Sequence, residues 1–327
     1  MTLSLAIVFL LVGLVLLAGG GEALVRAATT LAQLAGVAPA VIGLTVVAAG
    51  TSLPELVVSV VAALEGQPDI ATGNVVGSNI FNVAAALGIT AMVLPLPVHG
   101  NAVRLEWPVM FATSVWCLLA AGDGVIGRFD GAVSVTALVA FVAYSVSIAR
   151  RKVTASESRK LGDQVEDRDL DRPGSRSAPR LLVPLVVLFG GVAALVVGGK
   201  LLVDGAVALA RLAGMSERQI ALTIVAGGTG APELATSLVA AFRGRTDVAV
   251  ANMIGSNIFN VLGILGIAAL ITPIPVAQAI IQSDMWWMIG TGALLLPVIW
   301  TGRVIGRLEG TVLAAAYLAY VVLLLRG

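Results

Sequence analysis

One short motif, in which a proline and a glutamate lie inside a long apolar segment, occurs twice in the chain. The copies are Gly50–Glu55 (GTSLPE) and Gly228–Glu233 (GTGAPE). A carboxylic acid at membrane depth is costly unless it faces a cavity, a cation or a partner. Proline removes a backbone donor and frees nearby carbonyl oxygens, which is tolerated there only where protein or a cavity covers them. The motif therefore predicts a broken helix beside an oxygen-rich pocket, which suits a hard cation.

The composition indicates an integral membrane protein. Of 327 residues, 58% are hydrophobic and 12% charged, with a net charge of +1, whereas soluble domains carry about 25% charged residues. The chain has a single cysteine, Cys117, and a single histidine, His99, which argues against a Cys or His metal centre. We expect no cofactor, no enzyme activity and no nucleic-acid partner. The lipid bilayer is the expected partner, and the oligomeric state stays open, with a monomer plausible.

Apolar segments long enough to cross a membrane predict ten transmembrane helices. They lie at 3–20, 38–64, 71–94, 104–121, 127–149, 181–203, 217–242, 249–271, 283–300 and 304–325.

The two halves of the chain are similar in sequence. Residues 43–64 and 221–242 align at an offset of 178 with 13 of 22 positions identical, and 74–83 and 252–261 share eight of ten. With five spans in each half, the second half must insert upside down relative to the first. We therefore predict an all-α polytopic membrane protein of two inverted five-helix repeats, 1–149 and 181–327. Such repeats with interrupted helices are typical of transporters that bind their substrate near the midplane.

The segment 150–180 separates the repeats and is polar, with nine basic and six acidic residues. Because this composition cannot build a core, it predicts a flexible linker. With the linker in the cytoplasm and both termini outside, fifteen of the 20 Lys and Arg residues fall inside and five outside. The positive-inside rule favours this orientation. We predict a multi-pass protein of the plasma (inner) membrane.

The two motif acids, Glu55 and Glu233, are the first candidate cation ligands, one from each repeat. The alternative is that they stay protonated or pair with a buried base, but the spans that carry the motifs have Lys and Arg only at their ends. Thr51, Ser52 and Thr229 flank the prolines, and their oxygens could complete the shell around a cation. Alternatively, these hydroxyls cap helices, and Ser52 to Glu55 fits a capping box.

A polar stripe follows each motif along the next helix. Its residues are spaced i, i+4 and i+8, which places them on one helix face; they are Asn74, Ser78 and Asn82 in the first half and Asn252, Ser256 and Asn260 in the second. We expect the stripe to face the interior, either lining an ion path or hydrogen-bonding between helices. Asn79 and Asn257 lie off this face and are predicted to serve helix packing.

The doubled GT-x-x-PE motif followed by GSNIFN resembles the calcium/cation antiporter superfamily, and most of all its prokaryotic sodium/calcium exchanger branch. The resemblance implies a ten-helix fold with four ion sites in a diamond, and alternating access by sliding of the first helix of each repeat. The calcium ligands it implies are Thr51, Glu55, Thr229 and Glu233. The sodium-site contributors it implies are Ala48, Ser52, Ser78, Ala226 and Ser256.

Two positions depart from the family pattern. Gly230 stands where the family usually has a serine, and Asn260 stands where a member often has an aspartate. Asn82 holds the matching place in the first repeat, and both asparagines belong to the candidate site, which then contains two acids. We predict a secondary antiporter that exchanges sodium for calcium. One alternative is proton-coupled exchange of calcium or another cation, which the missing hydroxyl at Gly230 suggests, because a proton needs a carboxylate but no complete oxygen shell. The other alternative is a cation channel, against which the inverted repeats argue.

Overall fold

The protein is almost entirely helical in a computed structural model that describes residues 2–35, 39–98, 105–152, 179–212, 226–301 and 304–326. The first half contains α1 (Leu3–Ala35), α2 (Gly43–Thr51), α3 (Leu53–Leu64), α4 (Pro68–Val93), β1 (Leu96–Pro97), α5 (Trp107–Ala120), β2 (Val125–Ile126) and α6 (Arg128–Lys152). The second half contains α7 (Pro179–Leu212), α8 (Ala226–Thr229), α9 (Ala231–Phe242), α10 (Thr246–Ile271), β3 (Ile274–Pro275), α11 (Met285–Thr301), β4 (Val304–Ile305) and α12 (Arg307–Arg326).

Parts of two sequence predictions fall outside this description. Of the predicted linker, 153–178 lies outside the described residues, and so does 217–225 at the start of a predicted span. One predicted span was too short, since the helix predicted at 3–20 continues to Ala35. The span predicted at 181–203 lies within α7, whose apolar membrane-crossing part is Leu181–Leu202. The extension of α1 is rich in Ala and Leu, which are strong helix formers, so the helix continues past the most apolar stretch.

Six helices in the described part are long and apolar enough to cross a membrane, and the bent pair α2 and α3 would make a seventh. The six are α1, α4, α6, α7, α10 and α12. Helices α4 and α10 form the centre, because 83% and 78% of their apolar windows are buried, against 17–28% for the other four. Since these two helices carry the polar stripes, the prediction that the stripes face the interior is confirmed.

The motif helix breaks where the sequence predicts it. Helices α2 and α3 meet at Ser52 with a bend of 52°, and Ser52 has left the helical conformation at φ −83°, ψ 9°. Its counterpart Gly230 separates α8 from α9 at φ −80°, ψ 0°. In both cases proline occupies the first turn of the following helix, where its missing N–H costs nothing. The break thus sets Glu55 and Glu233 in the first turns of α3 and α9.

Helices α1 and α7 pack closely through glycines. A Cβ on Gly13 would lie 2.9 Å from the carbonyl oxygen of Gly198, and one on Gly20 would lie 2.9 Å from that of Gly191. The residue number on α7 falls as that on α1 rises, so the two helices run antiparallel. Small residues at such crossings allow the backbones to approach, which is how helices associate in membranes.

We expect Gly20→Ala to lower the free energy of unfolding by about 1–3 kcal/mol, because the added methyl overpacks the crossing. The neighbouring Gly19→Ala is the matched control, since Gly19 is exposed and a Cβ there would meet nothing within 4 Å. Thermal unfolding of the purified protein in detergent measures both. Equal melting temperatures for the two variants would contradict the close crossing.

A second contact ties α1 to the rest of the protein. Glu22 on α1 accepts hydrogen bonds from Arg26, one turn along, and from Arg243 in the turn after α9, the latter at 2.5 and 2.9 Å. At the matching positions of the second half stand Lys200 and Asp204, which pair with each other at 2.8 Å. The charges of the two halves are therefore reversed at these positions.

Short strands connect the two halves reciprocally. β1 pairs antiparallel with β4, with Leu96 opposite Ile305, and β2 pairs antiparallel with β3, with Ile126 opposite Ile274. The all-helical prediction did not include these strands. Their physical origin is the X-Pro pattern in β1 and β3, because the residue before a proline favours extended backbone. Each strand of one half thus has its partner in the other half.

Candidate cation-binding site

Two carboxyl groups define the candidate site. Glu55 is 1% exposed and Glu233 is 0% exposed, and they lie close enough to repel each other when both are ionised. Each sits at a helix N-terminus, where unsatisfied N–H groups favour negative charge. No Lys, Arg or His forms an ion pair with either acid in the described part of the chain. The alternative of a buried base as partner is therefore wrong for the described residues.

Hydroxyl groups surround Glu233. The Ser52 hydroxyl donates to Glu233 Oε1 at 3.1 Å, across the boundary between the halves, and Thr51 and Ser256 lie beside the same carboxyl group. Ser52 makes no side-chain capping bond to its own helix, so the capping-box interpretation is wrong. Thr51 also donates to the backbone oxygens of Val47 and Ala48 at 3.1 and 3.2 Å. Its hydroxyl therefore serves the helix end as well as the pocket.

Two asparagines connect the broken helices of the two halves. Asn74 Nδ2 donates to the Glu55 carbonyl oxygen at 3.1 Å and to Ser59 Oγ at 2.9 Å, while its Oδ1 accepts from Thr229 at 3.4 Å. Asn252 Nδ2 likewise donates to Ser237 Oγ at 3.1 Å. Its Oδ1 accepts from Thr51 at 3.4 Å. Each asparagine thus holds a threonine of the opposite half beside the pocket.

Further along the stripe the two halves meet through amides. Asn79 Nδ2 donates to the carbonyl oxygen of Asn257, and Asn257 Nδ2 donates to that of Asn79, both at 3.2 Å. These bonds confirm the prediction that this pair serves helix packing. Asn260 donates to Asn79 Oδ1 at 3.0 Å. Asn82, at the position that matches Asn260, is 1% exposed, and neither its Oδ1 nor its Nδ2 has a hydrogen-bond partner among the described residues.

Several buried oxygens in this region lack hydrogen bonds to other described residues. They include both carboxyl oxygens of Glu55, Oε2 of Glu233, Oγ of Ser78, and the amide oxygens of Asn82 and Asn260. Buried polar atoms are normally satisfied, so each such atom calls for an explanation. An acid, a hydroxyl and amide oxygens form the ligand chemistry that hard cations prefer. The predicted acids and stripe residues therefore come together, with the oxygen chemistry that the sequence indicates.

The two predicted alanine positions contribute less in this arrangement. Ala48 is fully buried, and its carbonyl oxygen already accepts the N–H of Ser52 at 3.0 Å and the hydroxyl of Thr51 at 3.2 Å. Ala226 is the first residue of α8, and its side chain lies outside the described part. Each stripe helix contains a π-helical turn, Phe81–Ala86 in α4 and Phe259–Leu265 in α10, which includes the last residue of the stripe. Such turns are frequent at functional sites.

Some residues of the site were missed in the sequence. Ser59 and Ser237 receive the amide bonds that position Asn74 and Asn252, although neither stood out in the sequence. The sequence did contain an indication of their role, because Ser59 and Ser237 align with each other at the offset of 178, in the same 22-residue alignment as the two acids. A serine one turn beyond the acid could thus have been included.

Buried paired acids among hydroxyls, in a multi-pass helical protein, are typical of a membrane cation transporter. A family model described as sodium/calcium exchanger protein matches residues 5–147 and 183–326. The chain therefore belongs to the sodium/calcium exchanger family. As a member of that family it is a cation/calcium antiporter, and the family consists of transporters rather than enzymes.

Individual relatives match from 82% to 99% of the chain. Inner membrane protein YrbG of Escherichia coli is 38% identical over 271 residues, covering 82% of this chain and 81% of its own length. Sodium/calcium exchanger MaX1 of Methanosarcina acetivorans is 32% identical over 339 residues, covering 96% and 97%. A solved structure of the sodium-calcium exchanger NCX_Mj, soaked with zero Na⁺ and Ca²⁺, superposes with a TM-score of 0.82 at 29% identity, covering 99% and 100%.

Proposed function

We propose that this protein exchanges sodium for calcium across the membrane, and that both ions use the pocket formed by Glu55 and Glu233. The observation that carries the proposal is the pair of buried acids that have no basic partner in the described part of the chain. Ser52, three residues before Glu55, bonds to Glu233 at 3.1 Å and so links the two acids. Two buried negative charges without a counter-charge are strongly unfavourable. A bound cation supplies that counter-charge. The MaX1 and NCX_Mj relatives, named as sodium/calcium exchangers, support these two ions.

Competition for one pocket couples the two ions. One Ca²⁺ balances both carboxylates, and about two Na⁺ do the same. If calcium and sodium ions bound together, the pocket would carry excess positive charge in a water-poor site. Such a buried charge is unfavourable, as is the excess negative charge of the empty pocket. The protein therefore reorients with one kind of ion or the other. The proposed ligands include Glu55 and Glu233 for both ions, with hydroxyl and amide oxygens around them; these are Thr51, Ser52, Ser78, Asn82, Thr229, Ser256 and Asn260. The backbone oxygens of Ala48 and Ala226 join them only if the helix ends rearrange.

We propose that ten spans in two inverted repeats carry this pocket. The antiparallel crossing of α1 and α7, the first helices of the two halves, supports the inversion. The reciprocal strand pairs and the reciprocal bonds between Asn79 and Asn257 support a two-fold relation. The E. coli relative is named an inner membrane protein. We place this chain in the same membrane, with 150–180 in the cytoplasm and both termini outside, in accord with the positive-inside rule.

Proton-coupled exchange is the second candidate. Both oxygens of Glu55 lack a hydrogen-bond partner in other described residues. A buried carboxyl group in that situation is more stable when it carries a proton. A proton could thus occupy Glu55 in the step that the first candidate assigns to sodium.

Calcium uptake into proteoliposomes separates the candidates. Vesicles are loaded with sodium, potassium or acidic buffer in turn, diluted into radioactive calcium, and compared with vesicles in which an ionophore has collapsed the imposed gradient. We expect uptake to follow the outward sodium gradient and to saturate with calcium. Uptake that follows the pH gradient and ignores sodium would favour proton coupling. Uptake that needs no counter-ion would contradict antiport altogether.

A further inference from the structure

The pocket is not symmetric, because Gly230 stands at the position that matches Ser52. A Cβ on Gly230 would lie 2.4 Å from Cδ1 and 2.6 Å from Cε1 of Phe81, closer than such atoms can approach. The ring of Phe81 therefore occupies the space that a serine side chain at position 230 would take. The second half therefore lacks the hydroxyl that Ser52 provides in the first half, and the Phe81 ring fills the space that this hydroxyl would take.

The packing around Phe81 holds its ring against Gly230. Phe81 is 8% exposed and makes an edge-to-face contact with Tyr317 on α12, with ring centroids 5.5 Å apart. Such aromatic pairs are worth about 0.5–1.5 kcal/mol beyond the area they bury. The position of the ring is thus fixed by packing against its neighbours.

The matching phenylalanine of the second half takes another position. The ring of Phe259 lies 3.4 Å from where a Cβ on Gly263 would be, whereas Ala85 stands at the place that matches Gly263. Ser52 remains free to donate to Glu233 at 3.1 Å. The second half therefore has glycine at both positions, 230 and 263, where the first half has Ser52 and Ala85, and the two phenylalanine rings pack against different neighbours.

The electrostatic consequence falls on the two acids. Oε1 of Glu233 accepts the Ser52 hydroxyl, while Oε2 of Glu233 and both carboxyl oxygens of Glu55 have no hydrogen-bond partner in other described residues. By the two-fold relation between the halves, a serine at position 230 would serve Glu55 as Ser52 serves Glu233. A sodium ion beside Glu233 would thus have a hydroxyl oxygen as an additional ligand, whereas beside Glu55 the Phe81 ring fills the place of that hydroxyl. An aromatic ring offers no oxygen to a hard cation, which prefers oxygen ligands.

We propose that Phe81 is a specificity-determining residue, which closes the flank of the pocket beside Glu55 to a sodium ion and so lowers the number of sodium ions exchanged for each calcium ion. This inference rests on the proposed sodium/calcium exchange. About two sodium ions balance the two carboxylates, by the count of charges, whether the flank is open or closed. The closed flank removes the oxygen site at which a further sodium ion could bind, so the exchange stays at about two sodium ions per calcium. Exchange at that ratio moves no net charge and does not respond to membrane potential.

The ratio is measured in proteoliposomes as the slope of the logarithm of the calcium gradient against that of the sodium gradient, at conditions of zero net flux. We expect a slope of about 2 for the native protein, from the same charge count. A slope of about 3 in the native protein would overturn the inference without any variant. A native protein that shows no sodium-dependent calcium flux would instead overturn the proposed function.

The double variant Phe81→Ala, Gly230→Ser reopens the flank and supplies the missing hydroxyl. We expect its slope to rise above the native value and its uptake to become sensitive to voltage. Gly230→Ser alone should lose uptake at least about tenfold, because its side chain overlaps the ring, and Phe81→Ala should restore it. The matched control is Phe259→Ala, which should keep the native slope. An active double variant with the native slope would overturn the role of Phe81.

Discussion

Replacing Glu233 with glutamine is expected to reduce sodium-dependent calcium uptake by about 100-fold or more. The substitution keeps the size of the side chain and removes one of the two charges that balance a divalent ion. Removing one partner of a buried pair of opposite charges, here the carboxylate that faces the bound calcium, typically costs about 3–5 kcal/mol. A cost of about 1.4 kcal/mol corresponds to a factor of ten in binding. Glu55→Gln should have a comparable effect. Radioactive calcium uptake into proteoliposomes, and calcium binding in detergent, measure both variants.

The loss should not come from unfolding. Glutamine at position 233 can still accept the Ser52 hydroxyl through its amide oxygen, so the melting temperature should stay at or above the native value. Glu65→Gln is the control variant, since Glu65 follows the same helix as Glu55 but is exposed, and it should transport normally. Uptake by Glu233→Gln within twofold of the native rate would exclude the acid pair as the binding site.

Gly255→Ala is expected to reduce transport by about 10- to 100-fold and to destabilise the fold by about 1–3 kcal/mol. A Cβ at this position would lie 2.4 Å from the carbonyl oxygen of Leu44 and 2.9 Å from Cβ of Ala48. Helix α10 must therefore move away from α2. That movement separates Ser256 from Thr51, which are 3.5 Å apart beside Glu233. Uptake assays and thermal unfolding of the same preparation measure the two effects.

Gly290→Ala serves as the control, because Gly290 lies in an exposed part of α11 with nothing within 4 Å of its added Cβ. It should keep native transport and stability. If Gly255→Ala transported as well as Gly290→Ala, the close crossing of α2 and α10 would not be needed to position the pocket.

The helix breaks and the polar stripes were predictable because their causes are local. Proline at position 54 cannot continue the preceding helix in the normal way, and an acid in an apolar segment has to face the interior. The i, i+4 spacing of Asn74 and Ser78 fixes their common face regardless of what packs there. For these features the residue types and their spacing carry the necessary information.

The position of Phe81 was not predictable in the same way. Its sequence surroundings, GSNIFN, are identical to those of Phe259, yet the two rings pack against different glycines. The difference depends on contacts between residues far apart in the chain, Phe81 with Gly230 and with Tyr317. The role of Ser52 was likewise ambiguous, because a capping box and a bond to a distant carboxyl group require the same residue type.

The reciprocal strands have a consequence for how such a protein can be assembled. Among the described residues, β1 pairs with β4 and β2 pairs with β3, so each half by itself lacks the strand partners that the other half supplies. If each half were made as a separate polypeptide, the two would have to associate in the membrane before either could reach its native form. Duplication within one chain supplies both partners together and in equal number, and covalent linkage keeps their local concentration high.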